Sequence, residues 1–187
     1  MLQASESSLY KISEKTLLTK EQIQSRTEEL GRLISNDYGG CELVCICILK
    51  GAAVFFSDLI RCIDVPMRLD FMSISSYGSA TASSGVVRLL KDLDRDIVDQ
   101  DVLVVEDIVD TGLTLSFLTQ NLMARGAKTL KTCTLLDKPF RRKVTLVPDY
   151  VGFQIEDHFV IGYGMDYLEL YRNLPDIGIL RPEVYSE

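Results

Sequence analysis

The segment from Val102 to Thr114 carries the residue types that could bind and process a charged sugar. A hydrophobic run ends in two adjacent carboxylates, Glu106 and Asp107, and Asp110 follows after two apolar residues. Carboxylate oxygens suit the vicinal hydroxyls of a sugar, either directly or through a divalent cation. The residues that follow open a helix and suit a dianionic phosphate; they are Thr111, Gly112, Leu113 and Thr114. The spacing therefore predicts a site for a phosphorylated ribose.

The same segment differs from two other phosphate-binding patterns. It lacks the lysine of a P-loop, and the chain contains no G-x-G-x-x-G dinucleotide fingerprint. An isolated Asp-Thr-Gly after a strand is typical of a solvated turn. The complete string favours a ligand site, because several carboxylates beside an anion-binding helix start are costly without a ligand or metal to balance them.

Short apolar runs predict the strands that position this segment. These runs are Leu43–Leu49, Val102–Val105 and Thr129–Leu136, with a further strand after Pro66 that includes Leu69, Phe71 and Ile74. A loop rich in Ser, Gly, Ala and Thr, Ser75–Gly85, precedes a predicted return strand, Val86–Leu90. Such a loop is often a lid over a site, and an ordinary hairpin tip is the alternative.

Helices are predicted between the strands. The first begins near Thr19, where Thr19 and Gln22 fit a capping box, and its apolar face carries Ile23, Leu30, Leu33 and Ile34. Others are predicted at Ala52–Ile63 and Leu113–Arg125, with Gly126 ending the latter. Strand, helix and strand in this order imply parallel pairing. We expect one α/β domain over residues 1–187, with a central, mainly parallel sheet flanked by helices and the site at its carboxyl edge.

The two acids after a hydrophobic strand, followed by Asp-Thr-Gly-x-Thr, resemble the fingerprint of the type I phosphoribosyltransferases. Further segments resemble the hypoxanthine-guanine branch of that family, in its bacterial form: Leu49-Lys50-Gly51, Ser76-Tyr77-Gly78, Leu136-Asp137-Lys138, Val151-Gly152-Phe153, residues 159–167 and residues 171–175. The resemblance implies the type I fold, with a small hood formed by the terminal segments. It also implies transfer of a 5-phosphoribosyl group from phosphoribosyl diphosphate to hypoxanthine or guanine. The products would be IMP or GMP and pyrophosphate, and Mg²⁺ would be the cofactor.

The resemblance assigns roles on the sugar side of this reaction. Asp110 would be the general base that removes the imidazole proton of the purine, although a helix N-terminal cap is its alternative role. Residues Asp110–Thr114 would bind the 5-phosphate, and Glu106 and Asp107 the ribose hydroxyls. The pyrophosphate would be bound by Lys50 and Gly51, in a loop that often contains a cis peptide bond, and by Arg172, Ser76 and Tyr77.

The resemblance also assigns the purine and metal sites. Lys138 would donate to the 6-oxygen of the purine, which opposes the amino group of adenine. Phe159 would stack on the base, and the Val160 carbonyl would accept from a 2-amino group, which disfavours xanthine. Asp166 would lie near the base and ligate Mg²⁺, together with Glu106 and Asp107. The alternative for Phe159 is an ordinary core position.

Composition limits the other classes of function. The net charge is −7 and the pI about 4.8, which argues against a nucleic-acid-binding regulator built on this fold, and the apolar runs are too short to span a membrane. Five cysteines without a secretory peptide predict reduced thiols in the cytoplasm. A zinc cluster at Cys41, Cys45 and Cys47 is the weaker interpretation, because four ligands are required.

Two further features have ordinary interpretations. His158 is the only histidine and is expected to be solvated or outside the first contact layer, and the basic run Arg141–Lys143 is expected to be a solvated face. A homodimer or homotetramer is expected from the resemblance alone.

Overall fold

A computed structural model of the protein describes residues 11–76 and 87–185. The strands and helices that the sequence predicts are present over residues 20–76 and 87–137, and further elements lie on either side of them. The strands are β1 (Ser13–Leu18), β2 (Leu43–Leu49), β3 (Met67–Ser76), β4 (Val87–Lys91), β5 (Asp101–Val109), β6 (Thr129–Asp137), β7 (Tyr150–Gln154), β8 (Val160–Ile161) and β9 (Ile177–Leu180). The helices are α1 (Lys20–Asp37), α2 (Ala53–Ile60), α3 (Leu113–Ala124) and α4 (Pro182–Tyr185).

The main sheet has the strand order β4-β3-β2-β5-β6-β7. Strands β3, β2, β5, β6 and β7 are parallel, and β4 pairs antiparallel with β3. The predicted α/β fold with a mainly parallel central sheet is confirmed. The chain crosses from β2 to β3 through α2 and from β5 to β6 through α3, so the carboxyl ends of these strands lie along one edge of the sheet.

Both faces of the central strands are covered, which explains their continuous apolar sequences. In β2, Cys45 and Cys47 pack toward α1 and α2 with Phe55 and Leu59. The alternate residues of β2 pack toward α3, together with Val102 and Val104 of β5. Because side chains alternate between the faces of a strand, one apolar run supplies two cores.

Helix α1 begins where the capping box predicts. The Thr19 hydroxyl accepts from the Gln22 backbone N–H at 3.4 Å, and the Gln22 side chain accepts from the Thr19 N–H at 2.9 Å. Ile23, Leu30 and Ile34 are buried, but Leu33 is 49% exposed, so its prediction as a core residue was wrong. It lies about 100° around the helix from Ile34, at the margin of the buried face.

Two element boundaries differ from prediction. Strand β5 continues to Val109, because its pairing with β6 extends as far as Val109 opposite Asp137. The two acids therefore belong to the strand itself and do not follow it. Helix α2 is shorter than predicted and ends at Ile60. The predicted lid lies almost entirely in residues 77–86, outside the described residues, and the return strand β4 is described from Val87.

A second, smaller sheet joins the two ends of the described chain. Its order is β1-β9-β8, with antiparallel pairing throughout. Ile161, Leu174 and Leu180 form its own apolar cluster. This sheet is the hood that the family resemblance implies. Its segments bring residues 159–172 to the carboxyl edge of the main sheet.

Candidate active site

A cavity of about 400 Å³ lies at the carboxyl ends of β2 and β5. It contains most of the residues that the sequence assigns to the sugar, the phosphate and the metal. Those that line it are Gly51, Glu106, Asp107, Asp110, Thr111, Gly112, Thr114, Asp166 and Arg172. The predicted position at the carboxyl edge of a parallel sheet is therefore where the structure places the cavity.

The two adjacent acids lie in the cavity wall, where Glu106 is buried and Asp107 is half-buried. Burial raises the pKa of Glu106 well above its usual value, and the neighbouring Asp107 carboxylate adds to the effect. Burial also raises the pKa of Asp107, although backbone N–H groups and the Arg172 guanidinium oppose this shift. Gly51 lies so close to Asp107 that a Cβ on Gly51 would overlap the carboxylate. The wall therefore holds negative groups that a cationic or hydroxyl-rich ligand would stabilise.

The segment Asp110–Thr114, which the sequence assigns to a phosphate, leads from β5 into the start of α3 and is named the phosphate-type turn. Gly112 is the N-cap of α3 with φ of 79°, a conformation that favours glycine, and no side chain caps the helix there. Thr111 Oγ1 accepts from the Leu113 N–H at 3.5 Å. The alternative role of Asp110 as a helix cap is therefore wrong. Instead, the Asp110 carboxylate accepts from Arg141 Nε at 2.9 Å.

The cations assigned to pyrophosphate lie beside two acids of the hood. Lys50 Nζ is 2.5 Å from Glu169 Oε2. Arg172 Nη2 lies 2.7 Å from Asp166 Oδ1 and 3.4 Å from Glu169 Oε1. The peptide bond between Leu49 and Lys50 is cis, as the resemblance implies. Sequence reasoning missed Glu169, and the signal available was its place between the assigned Asp166 and Arg172.

A second cavity, of about 230 Å³, adjoins the first. The four residues assigned to the purine all line it: Lys138, Phe159, Val160 and Asp166. Asp107, Asp110 and Asp166 line both cavities, so Asp110 stands at the junction between them. This junction is where a base and an anomeric carbon would have to meet.

The side chains around the purine cavity are held by neighbours. Lys138 is buried, and its Nζ donates to the His158 carbonyl at 2.7 Å and lies 3.4 Å from Asp157. Phe159 is 40% exposed, so its alternative role as a core residue was wrong. Its ring stacks on Tyr185 with centroids 5.3 Å apart and meets Tyr167 edge-on. These contacts orient a ring that still borders the cavity.

The basic run after β6 is only in part the predicted solvated face: Arg141 and Lys143 are exposed, but Arg142 is not, and both arginines are ion-paired. Arg141 bridges Asp110 and Asp157, with 2.9 Å to each carboxylate. Burial opposes ionisation of Asp157, but the Arg141 and Lys138 cations outweigh it and lower the pKa of Asp157. Arg142 is largely buried and pairs with Asp137. The signal that could have found both arginines is their position just beyond β6, at the sheet edge where Asp110 lies.

The remaining predicted residues are placed as follows. Ser76 ends β3, and Tyr77 lies outside the described residues. Leu113 begins α3. His158 Nε2 lies 3.4 Å from Glu156. Cys45, Cys47 and Cys133 are buried and are free thiols, and burial raises the pKa of each.

Two features are absent from the described residues. Within residues 11–76 and 87–185, no three His, Cys, Asp or Glu side chains are grouped so that they could hold a metal ion by themselves. Over the same ranges, no helix has the length and apolar character needed to cross a bilayer.

Comparisons with known proteins agree with the geometry of the site. Residues 13–168 match the family described as phosphoribosyl transferase domain. Hypoxanthine-guanine phosphoribosyltransferase of Mycobacterium bovis is 55% identical over 176 residues, which cover 91% of this chain and 87% of that protein. The Staphylococcus aureus protein of the same name is 54% identical, with 91% and 95% of the two chains covered.

Solved structures show the same similarity in three dimensions. A hypoxanthine phosphoribosyltransferase from Staphylococcus aureus superposes with a TM-score of 0.93 and 50% identity, covering 97% of this chain and 99% of that one. A hypoxanthine-guanine phosphoribosyltransferase from Bacillus anthracis, 51% identical, has a TM-score of 0.87 with 90% and 99% covered. The chain therefore belongs to the phosphoribosyltransferase family, in the branch of the hypoxanthine-guanine phosphoribosyltransferases.

Proposed function

We propose that this chain is a purine salvage enzyme that transfers the 5-phosphoribosyl group of phosphoribosyl diphosphate to hypoxanthine or guanine, with Asp110 as general base. The observation that carries the proposal is the position of Asp110 at the junction of the two cavities. One cavity has the groups for a phosphorylated sugar, and the other has the groups for a 6-oxopurine. The related enzymes carry names that agree with this chemistry.

The chemistry is a substitution at the anomeric carbon of the sugar. The purine imidazole N–H gives its proton to the Asp110 carboxylate while that nitrogen bonds to the anomeric carbon, and the carbon–oxygen bond to pyrophosphate breaks. Arg141 donates to Asp110 Oδ1, so the other oxygen, Oδ2, is the one to receive the proton. The product is a nucleoside monophosphate, IMP or GMP, and free pyrophosphate.

Purine selectivity rests on Lys138, which presents donors to the 6-oxygen of hypoxanthine and guanine. The buried Lys138 ammonium already donates to the His158 carbonyl, which fixes its direction. The Phe159 ring, supported by Tyr185, stacks on the base, and the Val160 carbonyl accepts from the 2-amino group of guanine. Adenine and xanthine each bring an unmatched polar group to this cavity, which is costly when buried.

Glu106, Asp107 and Asp166 suit Mg²⁺, because they offer oxygen donors on one cavity wall and because burial disfavours the charges of Glu106 and Asp107 without a cation. Magnesium is usually bound by one or two carboxylates and by substrate phosphates, so a complete protein cage is not required. When bound, it supplies positive charge for the departing pyrophosphate. Lys50, Gly51 and Arg172 bind the same leaving group directly, and Glu106 and Asp107 hold the ribose hydroxyls.

The Asp110–Thr114 turn binds the 5-phosphate through backbone N–H groups and the Thr111 and Thr114 hydroxyls. The enzyme works in the cytoplasm, where the buried thiols stay reduced. A homodimer or homotetramer is expected from the family, and size-exclusion chromatography with light scattering tests it. A monomer at micromolar concentration would contradict that expectation.

The decisive experiment mixes the protein, Mg²⁺ and phosphoribosyl diphosphate with each of hypoxanthine, guanine, xanthine and adenine, and follows pyrophosphate release. Release with the first two purines is expected, and omission of Mg²⁺ is the control for the cofactor. Release with adenine or xanthine at a comparable rate would contradict the assigned purine contacts. Absence of release with every purine would contradict the proposed activity.

A further inference from the structure

Arg142 lies beneath the phosphate-type turn, and its guanidinium makes a connected set of hydrogen bonds there. Its Nη1 donates to the Val109 carbonyl at 2.9 Å and to the Asp110 carbonyl. Its Nη2 donates to the Asp137 carboxylate, and its Nε to the Leu146 carbonyl at 3.2 Å. The side chain is only 14% exposed. One side chain therefore joins the carboxyl ends of β5 and β6.

The backbone of the loop that carries Arg142 also donates to the two carbonyls that flank the Asp110 carbonyl. The Lys138 N–H donates to the Val109 carbonyl, and the Lys143 N–H donates to the Thr111 carbonyl, each at 2.9 Å. Together with Arg142, these contacts direct three successive carbonyls of the turn toward the loop. In a trans peptide unit the C=O and the N–H point in opposite directions. The N–H groups of Asp110, Thr111 and Gly112 are therefore directed away from the loop.

Those N–H groups belong to residues that line the cavity at the carboxyl ends of β2 and β5. A phosphate needs N–H groups around it and would be repelled by carbonyl oxygens. The Arg142 guanidinium stabilises the orientation that presents the N–H groups, because it binds two of the opposing carbonyls. Its charge is matched by the buried Asp137 carboxylate, which is only 4% exposed.

The turn also packs directly on the Arg142 side chain. A Cβ on Gly112 would lie 3.0 Å from the Cδ of Arg142 and 3.0 Å from a methyl carbon of Val144. The turn and the loop are therefore close-packed as well as hydrogen-bonded. A change in the guanidinium would be transmitted to the backbone of the turn.

We infer that Arg142 is a positioning residue for the reaction: it orients the phosphate-binding turn from behind, without touching substrate. The inference rests on the proposed role of that turn in binding the 5-phosphate. Loss of the guanidinium should weaken binding of the phosphorylated sugar and leave recognition of the purine largely intact.

The test is Arg142→Lys, with Arg26→Lys as a matched control. Arg26 also donates to two backbone carbonyls and to a carboxylate, but it ties α1 to β7, away from the turn. A lysine keeps the charge and loses the planar fork. We expect the Kd for ribose 5-phosphate and the KM for phosphoribosyl diphosphate to rise about tenfold in Arg142→Lys, with the KM for hypoxanthine changed less than about twofold. The control should match the wild type.

Two outcomes would overturn the inference: unchanged affinity for ribose 5-phosphate, or an equal loss of affinity for the sugar phosphate and for the purine. If Arg142→Lys does not fold, Asp137→Asn serves instead, because it removes the counter-charge and keeps the volume. We expect it to raise the Kd for ribose 5-phosphate about threefold, since the guanidinium loses its charge-assisted partner. Unchanged affinity in a folded Asp137→Asn protein would contradict the inference.

Thr114→Val separates this inference from the proposed role of the turn. It removes a hydroxyl from the turn side of the cavity and leaves the Arg142 contacts in place. Weaker ribose 5-phosphate binding in Thr114→Val with no effect of Arg142→Lys refutes only the positioning role. No effect of Thr114→Val refutes the assignment of the 5-phosphate to this turn.

Discussion

At the scale of single residues, the site is organised as a chain of charges. Asp110, Arg141, Asp157 and Lys138 follow one another through contacts of 2.9 to 3.4 Å. This chain connects the proposed base with the residue proposed to recognise the purine. Exposed ion pairs contribute little stability. We therefore expect this chain of charges to orient the side chains of the site more than it stabilises the fold.

Replacement of the proposed base tests its role directly. We expect Asp110→Asn to lower kcat by about a hundredfold or more, the scale for loss of a general base, because an amide cannot accept the imidazole proton. Steady-state kinetics with hypoxanthine measures it, and Asp64→Asn, an exposed acid elsewhere, is the control. A variant with unchanged kcat would show that another group takes the proton.

Removal of Lys138 should act on the purine. We expect Lys138→Ala to raise the KM for hypoxanthine and guanine by about tenfold or more, because a buried charged donor to the 6-oxygen is lost. The KM for phosphoribosyl diphosphate should change much less. Lys131→Ala, near the amino end of β6 and so at the far end of that strand from Lys138, is the control. Equal increases in both KM values would argue against base recognition.

If Lys50 and Arg172 bind pyrophosphate as proposed, Glu169 competes with it, because Glu169 forms ion pairs with both cations. We expect Glu169→Gln to strengthen product inhibition by pyrophosphate about two- to fivefold. In the variant, pyrophosphate no longer has to break the exposed ion pairs of Glu169, which are worth up to about 1 kcal/mol. Inhibition constants against phosphoribosyl diphosphate measure the effect. Weaker inhibition in this variant would mean that Glu169 helps to hold the cations in place.

At the scale of elements, the site depends on the meeting of strand ends. The carboxyl ends of β2, β5 and β6 bring Gly51, Asp107 and Lys138 to one edge, and the hood brings Asp166 and Arg172 over them. At this edge a close contact joins Gly51, which follows β2, to Asp107 of β5. Its geometry excludes a side chain at position 51.

A methyl group at this contact should therefore disturb the site. We expect Gly51→Ala to raise the KM for phosphoribosyl diphosphate and to lower the free energy of unfolding by about 1 to 3 kcal/mol, because the added Cβ displaces the half-buried Asp107 carboxylate. Kinetics and denaturant unfolding measure the two effects. Gly39→Ala, where a Cβ meets only contacts of 3.5 Å or more, is the control. Wild-type kinetics in Gly51→Ala would contradict the close approach.

At the scale of the whole molecule, we expect the burial of Glu106 in the cavity wall to lower the stability of the ligand-free protein. The folded state raises the pKa of Glu106 well above the unfolded value, through burial first and Asp107 second. Between the unfolded and the folded pKa, the folded state keeps the Glu106 proton that the unfolded state has released. The penalty is therefore absent below the unfolded pKa, grows as the pH rises toward the folded pKa, and is fully present above it.

An uncharged isostere should remove this penalty. We expect Glu106→Gln to raise the Tm of the ligand-free protein at neutral pH by a few degrees, as a gain of about 1 kcal/mol does in a chain of this size, and to lower activity. The gain should shrink as the pH is lowered toward 4.5. Thermal unfolding between pH 5 and pH 8 measures it. A lower Tm at neutral pH would show that the carboxylate is stabilised in the folded state.

The sequence by itself determined the alternation of strands and helices, the capping box of α1 and the segment that forms the cavity. These features depend on local periodicity and on the type of each residue, which the chain displays directly. The exposed position of Leu33 and the length of β5 depended on neighbours, because burial and strand pairing are set by other elements.

Only the tertiary structure decided how the charges are paired. Arg141 and Arg142 read as a solvated run, yet they contact Asp110 and Asp137 because the ends of parallel strands converge at one sheet edge. Glu169 reaches Lys50 across 119 positions of the chain. Ion pairs over such separations depend on distance in space, and a single sequence records only order along the chain.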